Sequence, residues 1–261
     1  MKKRTLFWGI ILFLIFILVL FRIGVSWRTK ADTKEEKKIL SLVKSSAVYG
    51  DLTEQTNLYE QADKNSKVLE ELKKGAQVEI LEDRSTKWYL VLDNITGTQG
   101  WIAGNTLEIP EDSPTENSEI TEKQKETYIK ILELNSETDY LVWVDINRQM
   151  VNIFEKKEDV WEFLQSFICA TGKNVSPTVR GTFQISERGE WFFSERLGSG
   201  AKYWVRFHDT YLFHSVAMDE NKEIIDGVLG ERRSGGCVRM SVADAKWFFD
   251  MIPEKTTVFI N

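Results

Sequence analysis

The chain is poor in the side chains that build metal centres and disulfide frameworks. Its 261 residues include two histidines, two cysteines and four prolines. The histidines and cysteines are widely and irregularly spaced, without the Cys-x-x-Cys or His-x-x-x-His patterns typical of zinc sites. Two cysteines cannot form a disulfide framework, and a net charge of −6 provides no basic stripe for nucleic acid. We therefore expect no metal, no other cofactor and no nucleic-acid partner.

One long apolar run lies at the N-terminus and predicts a membrane anchor. The basic cluster Lys2 to Arg4 precedes continuous apolar residues from Leu6 to Phe21, slightly fewer than the ~20 residues of a spanning helix. We predict a cytoplasmic tip and a single-pass transmembrane anchor over residues 1–29, with a cytoplasmic N-terminus because basic residues stay on that side. A cleaved signal peptide is the alternative. The exported remainder, residues 31–261, carries a net charge of −12, because the first thirty residues hold six basic and no acidic residues.

The next two segments differ in pattern. Residues 30–46 are charged and are predicted to form a stalk, either a solvated spacer or a short helix. Residues 47–108 alternate apolar and polar positions between polar turns, which predicts a small all-β barrel. The landmarks Leu-x-Lys-Lys-Gly-x-x-Val, Trp88-Tyr89-x-Val91 and Gly100-Trp101-Ile102 resemble a bacterial SH3 domain. Trp101 is expected in the barrel core, whereas Trp88 and Tyr89 either line a groove or also pack inside.

A linker and a second β domain complete the chain. Residues 109–138 are polar and contain two prolines, with a short helix predicted within Ile120–Leu134. Residues 139–261 predict a mostly antiparallel β domain, large enough for its own core. Its expected elements are a hairpin of Tyr140–Val144 with Gln149–Phe154, strands at Trp161–Ala170, Thr182–Ser186, Tyr203–Phe207, Tyr211–His214 and Thr257–Ile260, and a helix capped by Ser241 and stopped by Pro253.

The strongest signal for chemistry is a cysteine that follows two glycines. Cys237 needs a base near its sulfur, because an ordinary thiol (pKa ~8.5) is mostly protonated at neutral pH. The glycines allow unusual backbone angles and close approach of a substrate. His214, at the end of an apolar strand, is the expected base, and His208 lies in a predicted surface turn. Cys169 is expected as a buried core thiol, with a Cys169–Cys237 disulfide as the alternative.

Together with upstream segments these residues resemble the L,D-transpeptidase (YkuD-like) catalytic domain over about residues 139–261. The ordered motifs are Ala170-Thr171-Gly172-Lys173, Ser176-Pro177-Thr178, Gly181-Thr182-Phe183-Gln184-Ile185, Tyr203-Trp204-Val205-Arg206-Phe207, His214-Ser215 and Ser234-x-Gly236-Cys237-Val238-Arg239. The family usually has a second histidine where this chain has Gly235. The expected fold class is mainly β, with an N-terminal transmembrane helix, a small SH3-like β-barrel and a YkuD-like β-sandwich catalytic domain.

The resemblance implies a role for each residue of the motif. The catalytic residues would be Cys237 as nucleophile, His214 as general base and Ser215, whose carbonyl orients the imidazole. The backbone amides of Gly236 and Cys237 would hold the oxyanion. The implied substrate-binding residues are Tyr203, Trp204, Ser234 and Arg239.

The implied activity is peptidoglycan L,D-transpeptidation, which joins stem peptides by 3→3 cross-links through a thioester acyl-enzyme. The expected partners are donor and acceptor stem peptides, the membrane, the cell wall through the SH3-like domain, and carbapenem β-lactams as inhibitors. The catalytic domain would face the cell wall outside the membrane. The alternatives are an L,D-carboxypeptidase, a ligase that joins proteins to the wall, and a non-catalytic wall-binding scaffold in which Gly235 marks lost activity.

Overall fold

The computed structural model describes residues 33–261, which form an N-terminal helix, a small barrel and a two-sheet domain. The predicted transmembrane anchor at residues 1–29 lies outside the described residues. Within residues 33–261, no helix is both long enough and apolar enough to span a bilayer.

Helix α1, residues 33–42, occupies most of the predicted stalk. Ile39 and Val43 are four positions apart, so they lie on one helical face. Both are buried in a cluster with Tyr128 and Trp143 of the C-terminal part of the chain. The solvated-spacer alternative is therefore wrong for this helix, because its apolar face packs against the second domain.

The barrel is a seven-stranded sheet with the strand order β3-β2-β6-β5-β4-β1-β7. Its strands are β1 (Val48–Leu52), β2 (Thr56–Tyr59), β3 (Val68–Leu72), β4 (Gln77–Arg84), β5 (Trp88–Leu92), β6 (Gln99–Ala103) and β7 (Leu107–Glu108), with a 3₁₀ turn at Gly104–Thr106. Trp101 is buried as expected. Tyr89 belongs to the barrel core, so the groove alternative is wrong for this residue. Trp88 is half-buried, with its ring edge-on to Tyr59 at 5.8 Å.

The segment predicted as a linker is bonded to the second domain along its length. The Asn174 side chain donates to the carbonyl of Glu111 at 2.8 Å, and Thr115 Oγ1 donates to the Gly230 carbonyl at 2.7 Å. Helix α2 (Glu122–Ile131) follows, with a capping box at Thr121. Ile129 of this helix is fully buried in the cluster that also holds Ile39. The linker and α2 therefore cover one face of the second domain.

The second domain is built from two sheets that share one apolar core. The first has the order β10-β9-β8-β18-β11, and the second β16-β15-β13-β14-β17 with β12 paired to β13. The strands are β8 (Tyr140–Asp145), β9 (Met150–Lys157), β10 (Val160–Ile168), β11 (Gly181–Gln184), β12 (Arg188–Ser194), β13 (Ser199–His208), β14 (Tyr211–Ser215), β15 (Ala217–Met218), β16 (Ile224–Asp226), β17 (Val238–Met240) and β18 (Thr257–Ile260). Val142 and Val258 of the first sheet pack with Phe213 and Val238 of the second.

Local sequence signals explain several of these elements. The predicted hairpin is confirmed, since Tyr140 pairs with Glu155 and Asp145 with Met150. Helix α3 (Val242–Met251) starts at Ser241, whose hydroxyl accepts the backbone N–H of Asp244 as expected. The sequence reasoning missed β12, which pairs with the first half of β13. The architecture is mainly β, with sandwich-like sheets.

Candidate active site

The two parallel strands β14 and β17 bring the segments that carry the candidate nucleophile and base together. His214 pairs with Arg239, and Phe213 pairs with Val238. Phe213 and Val238 point into the core. Because side chains alternate along a strand, His214 and Arg239 share the opposite, outer face. Cys237 directly precedes β17, so the strand pairing brings its turn to the strand that carries His214.

His214 is held as a neutral imidazole. Nδ1 of His214 lies 2.6 Å from the Ser215 carbonyl oxygen. Because a carbonyl oxygen can only accept, Nδ1 carries the proton and donates it, and Nε2 is the unprotonated nitrogen of the neutral ring. Burial lowers the pKa of His214 to about 4, with the Arg239 charge adding to the decrease and the Ser215 carbonyl opposing it. Phe192 covers the ring edge-on at 5.6 Å. The imidazole is therefore uncharged at neutral pH, with the lone pair of Nε2 not occupied by a proton.

The Cys237 thiol is partly exposed and also neutral. Burial raises the pKa of the thiol. The backbone N–H of Leu212 and the positive charges of Arg239 and Arg206 stabilise the thiolate and offset part of this rise. Its Sγ contacts the carbonyl oxygen of Thr210 at 3.8 Å. The resting pair is a neutral thiol and a neutral imidazole, so attack requires the sulfur to turn from Thr210 toward Nε2.

A glycine with a positive φ shapes the turn in front of the nucleophile. Gly236 has φ +111°, and a Cβ at this position would lie 2.5 Å from Cε1 of Tyr211. Gly235 is exposed and has no comparable obstruction, because its nearest neighbour would be Ser176 Oγ at 3.9 Å. The second glycine of the pair is therefore the one that the turn requires.

Hydrogen bonds inside the turn fix its backbone. Ser234 is buried, and its Oγ donates to the Cys237 carbonyl at 2.5 Å and accepts the Gly236 N–H at 3.1 Å. Thr178 Oγ1 donates to the Gly236 carbonyl at 2.8 Å. The structure thus gives Ser234 a bracing role within the turn. Of the two amides predicted for the oxyanion, that of Gly236 is already bonded to Ser234.

The predicted substrate-binding aromatics lie on opposite faces of β13. Trp204 precedes Val205, which points into the core opposite Phe213, so Trp204 shares the outer face with His214. Tyr203 has φ +57° and packs on Phe249 of α3 at 5.9 Å between ring centres. The structure therefore brings Trp204 to the site and places Tyr203 behind the sheet.

The predicted Arg239 is tied to an acidic neighbour. Its Nη1 lies 3.0 Å from Asp226 Oδ2, and its Nε is buried without a hydrogen-bond partner among residues 33–261. Arg233 shares the same carboxylate at 2.8 Å. Arg239 thus lies beside His214, and the Asp226 carboxylate balances part of its positive charge.

Both cysteines are free, so the disulfide alternative is wrong for this structure. Cys169 is fully buried, as expected, and burial raises its pKa. In the described part of the chain, Glu82, His208 and Asp209 form a group whose ligand atoms all lie within 4.8 Å of one another. Such a group could hold a cation, but the thiol chemistry does not require one.

Comparison with protein families finds a match for each domain. Residues 139–260 match the L,D-transpeptidase catalytic domain, YkuD, and residues 54–108 match the bacterial SH3 domain. The second domain thus resembles an L,D-transpeptidase catalytic domain. The chain is 40% identical over 129 residues to YciB of Bacillus subtilis (strain 168), a protein named provisionally as an L,D-transpeptidase. That match covers 46% of this chain and 66% of the relative, slightly under two thirds of its length.

Solved structures show weaker global similarity. A fused Zn-dependent amidase/peptidase/peptidoglycan-binding domain-containing protein from Clostridium acetobutylicum ATCC 824 is 26% identical, with a TM-score of 0.43 over 53% of this chain and 61% of that one. The L,D-transpeptidase LdtMt1 in complex with imipenem is 20% identical, with a TM-score of 0.38 over 47% of this chain and 59% of that one.

Proposed function

We propose that the protein is a peptidoglycan L,D-transpeptidase that forms 3→3 cross-links through a Cys237 thioester. The observation that carries this proposal is the parallel pairing of β14 with β17, which brings the turn that ends at Cys237 to the strand that carries the neutral His214 imidazole. The L,D-transpeptidase catalytic domain supplies the reaction class.

The first half-reaction forms the thioester. His214 Nε2 takes the thiol proton as Cys237 Sγ attacks the carbonyl carbon of the third residue of a donor tetrapeptide. The Cys237 amide is the donor left for the oxyanion, because the Gly236 amide is bonded to Ser234. The imidazolium then protonates the departing D-alanine amine. Its low pKa makes it a strong acid for that step.

The second half-reaction transfers the acyl group. The side-chain amine of an acceptor stem attacks the thioester carbonyl, a C–N bond forms and the C–S bond breaks. The proton lost by the amine returns to the sulfur through His214. Water in place of the amine would give an L,D-carboxypeptidase product, and a protein amine would give a wall-linked protein.

One product analysis tests this proposal. The protein is incubated with purified disaccharide-tetrapeptide, and the products are read by mass spectrometry. We expect a cross-linked dimer that has lost one D-alanine. His214→Ala should slow its formation by at least ~10²-fold, the usual scale for a positioned general base. A tripeptide product alone would identify a carboxypeptidase, and no product would favour a wall-binding scaffold.

We also propose that residues 1–29 anchor the protein in the cell membrane with both domains outside, facing the wall, and that the SH3 domain binds wall material. The basic cluster and apolar run at the N-terminus support the anchor, and the SH3 match supports a binding module. Protease added to intact protoplasts should digest both domains. Protection of the domains would refute the orientation.

A further inference from the structure

The SH3 domain contacts a short segment of the catalytic domain, residues 173–180, in addition to its contacts with residues 208–211. Asp83 Oδ2 accepts a hydrogen bond from Ser176 Oγ at 2.5 Å, and the Tyr89 hydroxyl donates to the Val175 carbonyl at 2.8 Å. Glu79 forms a partly buried ion pair with Arg180 at the end of the segment. A barrel-core tyrosine and two acidic side chains therefore converge on this segment.

The same segment supports the turn that carries the nucleophile. Thr178 Oγ1 donates to the Gly236 carbonyl, and the Lys173 N–H donates to the Ser234 carbonyl at 3.1 Å. Residues 173–180 thus connect the SH3 domain to the Cys237 turn.

A cleft of about 730 Å³ lies between the two domains beside this junction. Its SH3 wall is the hairpin tip, residues 82–86, and its catalytic wall includes Arg196, residues 209–211 and Gly235. The Thr210 carbonyl is the group that Cys237 Sγ contacts, and Gly235 lies two positions before Cys237. The cleft therefore runs along the backbone that borders the nucleophile.

The hairpin tip is a fixed wall. Ser85 and Thr86 have φ values of 55° and 58°, a left-handed conformation that a β-branched residue such as threonine rarely adopts. The Asp83 carboxylate fixes the hairpin tip, because its Oδ1 accepts a hydrogen bond from the Thr86 N–H at 2.5 Å. Positive φ at both central residues is the type I′ geometry of a two-residue hairpin turn, closed here by the Lys87 N–H, which donates to the Arg84 carbonyl at 3.1 Å.

The cleft presents charges of both signs. Glu82 and Asp209 supply carboxylates, and Arg84 and Arg196 supply guanidinium groups. Within residues 33–261, Arg196 forms no ion pair, Arg84 Nε lies 3.8 Å from Glu82 Oε1, and His208 Nε2 lies 3.9 Å from the Asp209 carboxylate. A ligand that carries both an ammonium and a carboxylate group would satisfy both signs.

We propose that the SH3 domain forms one wall of the acceptor site, and that the cleft binds the zwitterionic, amine-bearing amino-acid end of the acceptor peptide. This inference rests on the proposed transpeptidase function and assigns the binding site of the acceptor peptide to the cleft between the two domains. The ammonium group lies toward Glu82 and Asp209, and the carboxylate lies toward Arg196. The ammonium first passes one proton to this carboxylate pair and becomes a free amine. The amine then attacks the thioester carbonyl from the Thr210 side, the C–N bond forms as the C–S bond breaks, and its second proton passes through His214 to the leaving sulfur.

The test separates the two half-reactions in the full-length protein. Donor tetrapeptide alone measures acylation, as single-turnover release of D-alanine. Donor with increasing acceptor measures the acceptor KM and the share of thioester that goes to transfer instead of hydrolysis. Variants are Glu82→Gln, Asp209→Asn and Arg196→Gln. The matched control is Glu71→Gln, an exposed residue of β3 that does not line the cleft.

We expect each cleft variant to raise the acceptor KM about tenfold or more, the scale of one lost charge-assisted hydrogen bond. Acylation should stay within about twofold of wild type, and the hydrolysed share should rise. Wild-type acceptor KM in all three variants would overturn the proposal, as would an equal fall in acylation and transfer, which would mark the cleft as a donor site. Absence of acylation in the wild type would instead refute the proposed function.

An acceptor whose carboxylate is converted to a carboxamide gives an independent check. It should bind the wild type more weakly, whereas Arg196→Gln should bind both acceptors equally, because the partner of the carboxylate is already gone. Unchanged discrimination in Arg196→Gln would overturn the assignment of that arginine.

Discussion

Lowering the pH from 8 to 4 should leave His214 uncharged over nearly the whole range. The ring is buried, its Nδ1–H is bonded to the Ser215 carbonyl, and Arg239 lies beside it, so its pKa falls from 6.5 to about 4. In the unfolded chain the same imidazole takes up a proton near pH 6.5. Between these values the unfolded state binds more protons than the folded state, and stability must fall as the pH decreases through this window.

The size of the effect follows from the two pKa values. At pH 5 the unfolded imidazole is almost fully protonated and the folded one is not, which lowers the free energy of unfolding by about 2 kcal/mol relative to pH 8. The full difference, about 3 kcal/mol, is reached below pH 4. Carboxylates titrate in the same acid range, so the His214 contribution is the part of the loss that disappears in His214→Gln.

The assay uses the fact that the chain contains only two histidines. A proton NMR titration should show two imidazole Hε1 signals, and His208→Gln should remove one of them and so assign the other to His214. We expect the His214 signal to move with a midpoint near pH 4. Urea denaturation at pH 8 and pH 5 then measures the stability change in wild type and in His214→Gln.

Two results would refute this reasoning. A titration midpoint of His214 near pH 6.5 would show that burial does not lower the pKa of the ring. An equal loss of stability in wild type and His214→Gln would show that other groups cause the acid sensitivity. A midpoint near 4 would also place the acid limb of kcat/KM near that pH, because this limb reports the free base.

Three further predictions concern the turn and the two thiols. A carbapenem should add one acyl group, mapped by peptide mass to Cys237 and not to Cys169, which is fully buried and whose pKa is raised by burial; a label on Cys169 would contradict the site. Gly235→His should change the transpeptidation rate less than about tenfold, since His214 alone can supply the proton transfer of a positioned base; a gain of several orders of magnitude would show that the natural chain is impaired. Gly236→Ala should destabilise the fold by at least ~1–3 kcal/mol, the scale of one strained residue, because its Cβ would lie 2.5 Å from the Tyr211 ring; an unchanged Tm would refute the requirement for glycine.

The features that the sequence predicted well depend on local chemistry. The β8–β9 hairpin follows from alternating apolar positions around a polar turn, and the start of α3 follows from the Ser241 cap. Cys237 and His214 were predicted as the catalytic pair because two glycines beside a cysteine are unusual and because the chain has few possible bases, and their roles stay a prediction. These signals lie within short windows, where residue type fixes backbone conformation directly.

The features that were missed depend on contacts between distant segments. Which of two neighbouring aromatic residues faces a site depends on the conformation of the strand, and at Tyr203 a positive φ accompanies its turn toward α3 while Trp204 keeps the outer face. Thr178 belongs to a motif that the sequence singled out, but its bond to Gly236 joins positions 58 residues apart. Tyr89 resembled a groove residue because a tyrosine in a barrel strand gives no sign of where its hydroxyl ends.

The absence of a side chain at Gly236 allows the Tyr211 ring to pack against the turn in front of the nucleophile. The Tyr211 ring occupies the space where a Cβ would be. Burial raises the pKa of the Tyr211 hydroxyl, and the backbone N–H of Asp83 offsets part of that rise, which places the SH3 hairpin against the same ring. The Asp83 carboxylate in turn holds Ser176. A change that displaces Asp83 therefore reaches the Cys237 turn by two routes, through Tyr211 and through residues 173–180. It should slow acylation, whereas removal of the neighbouring Glu82 charge alone should not.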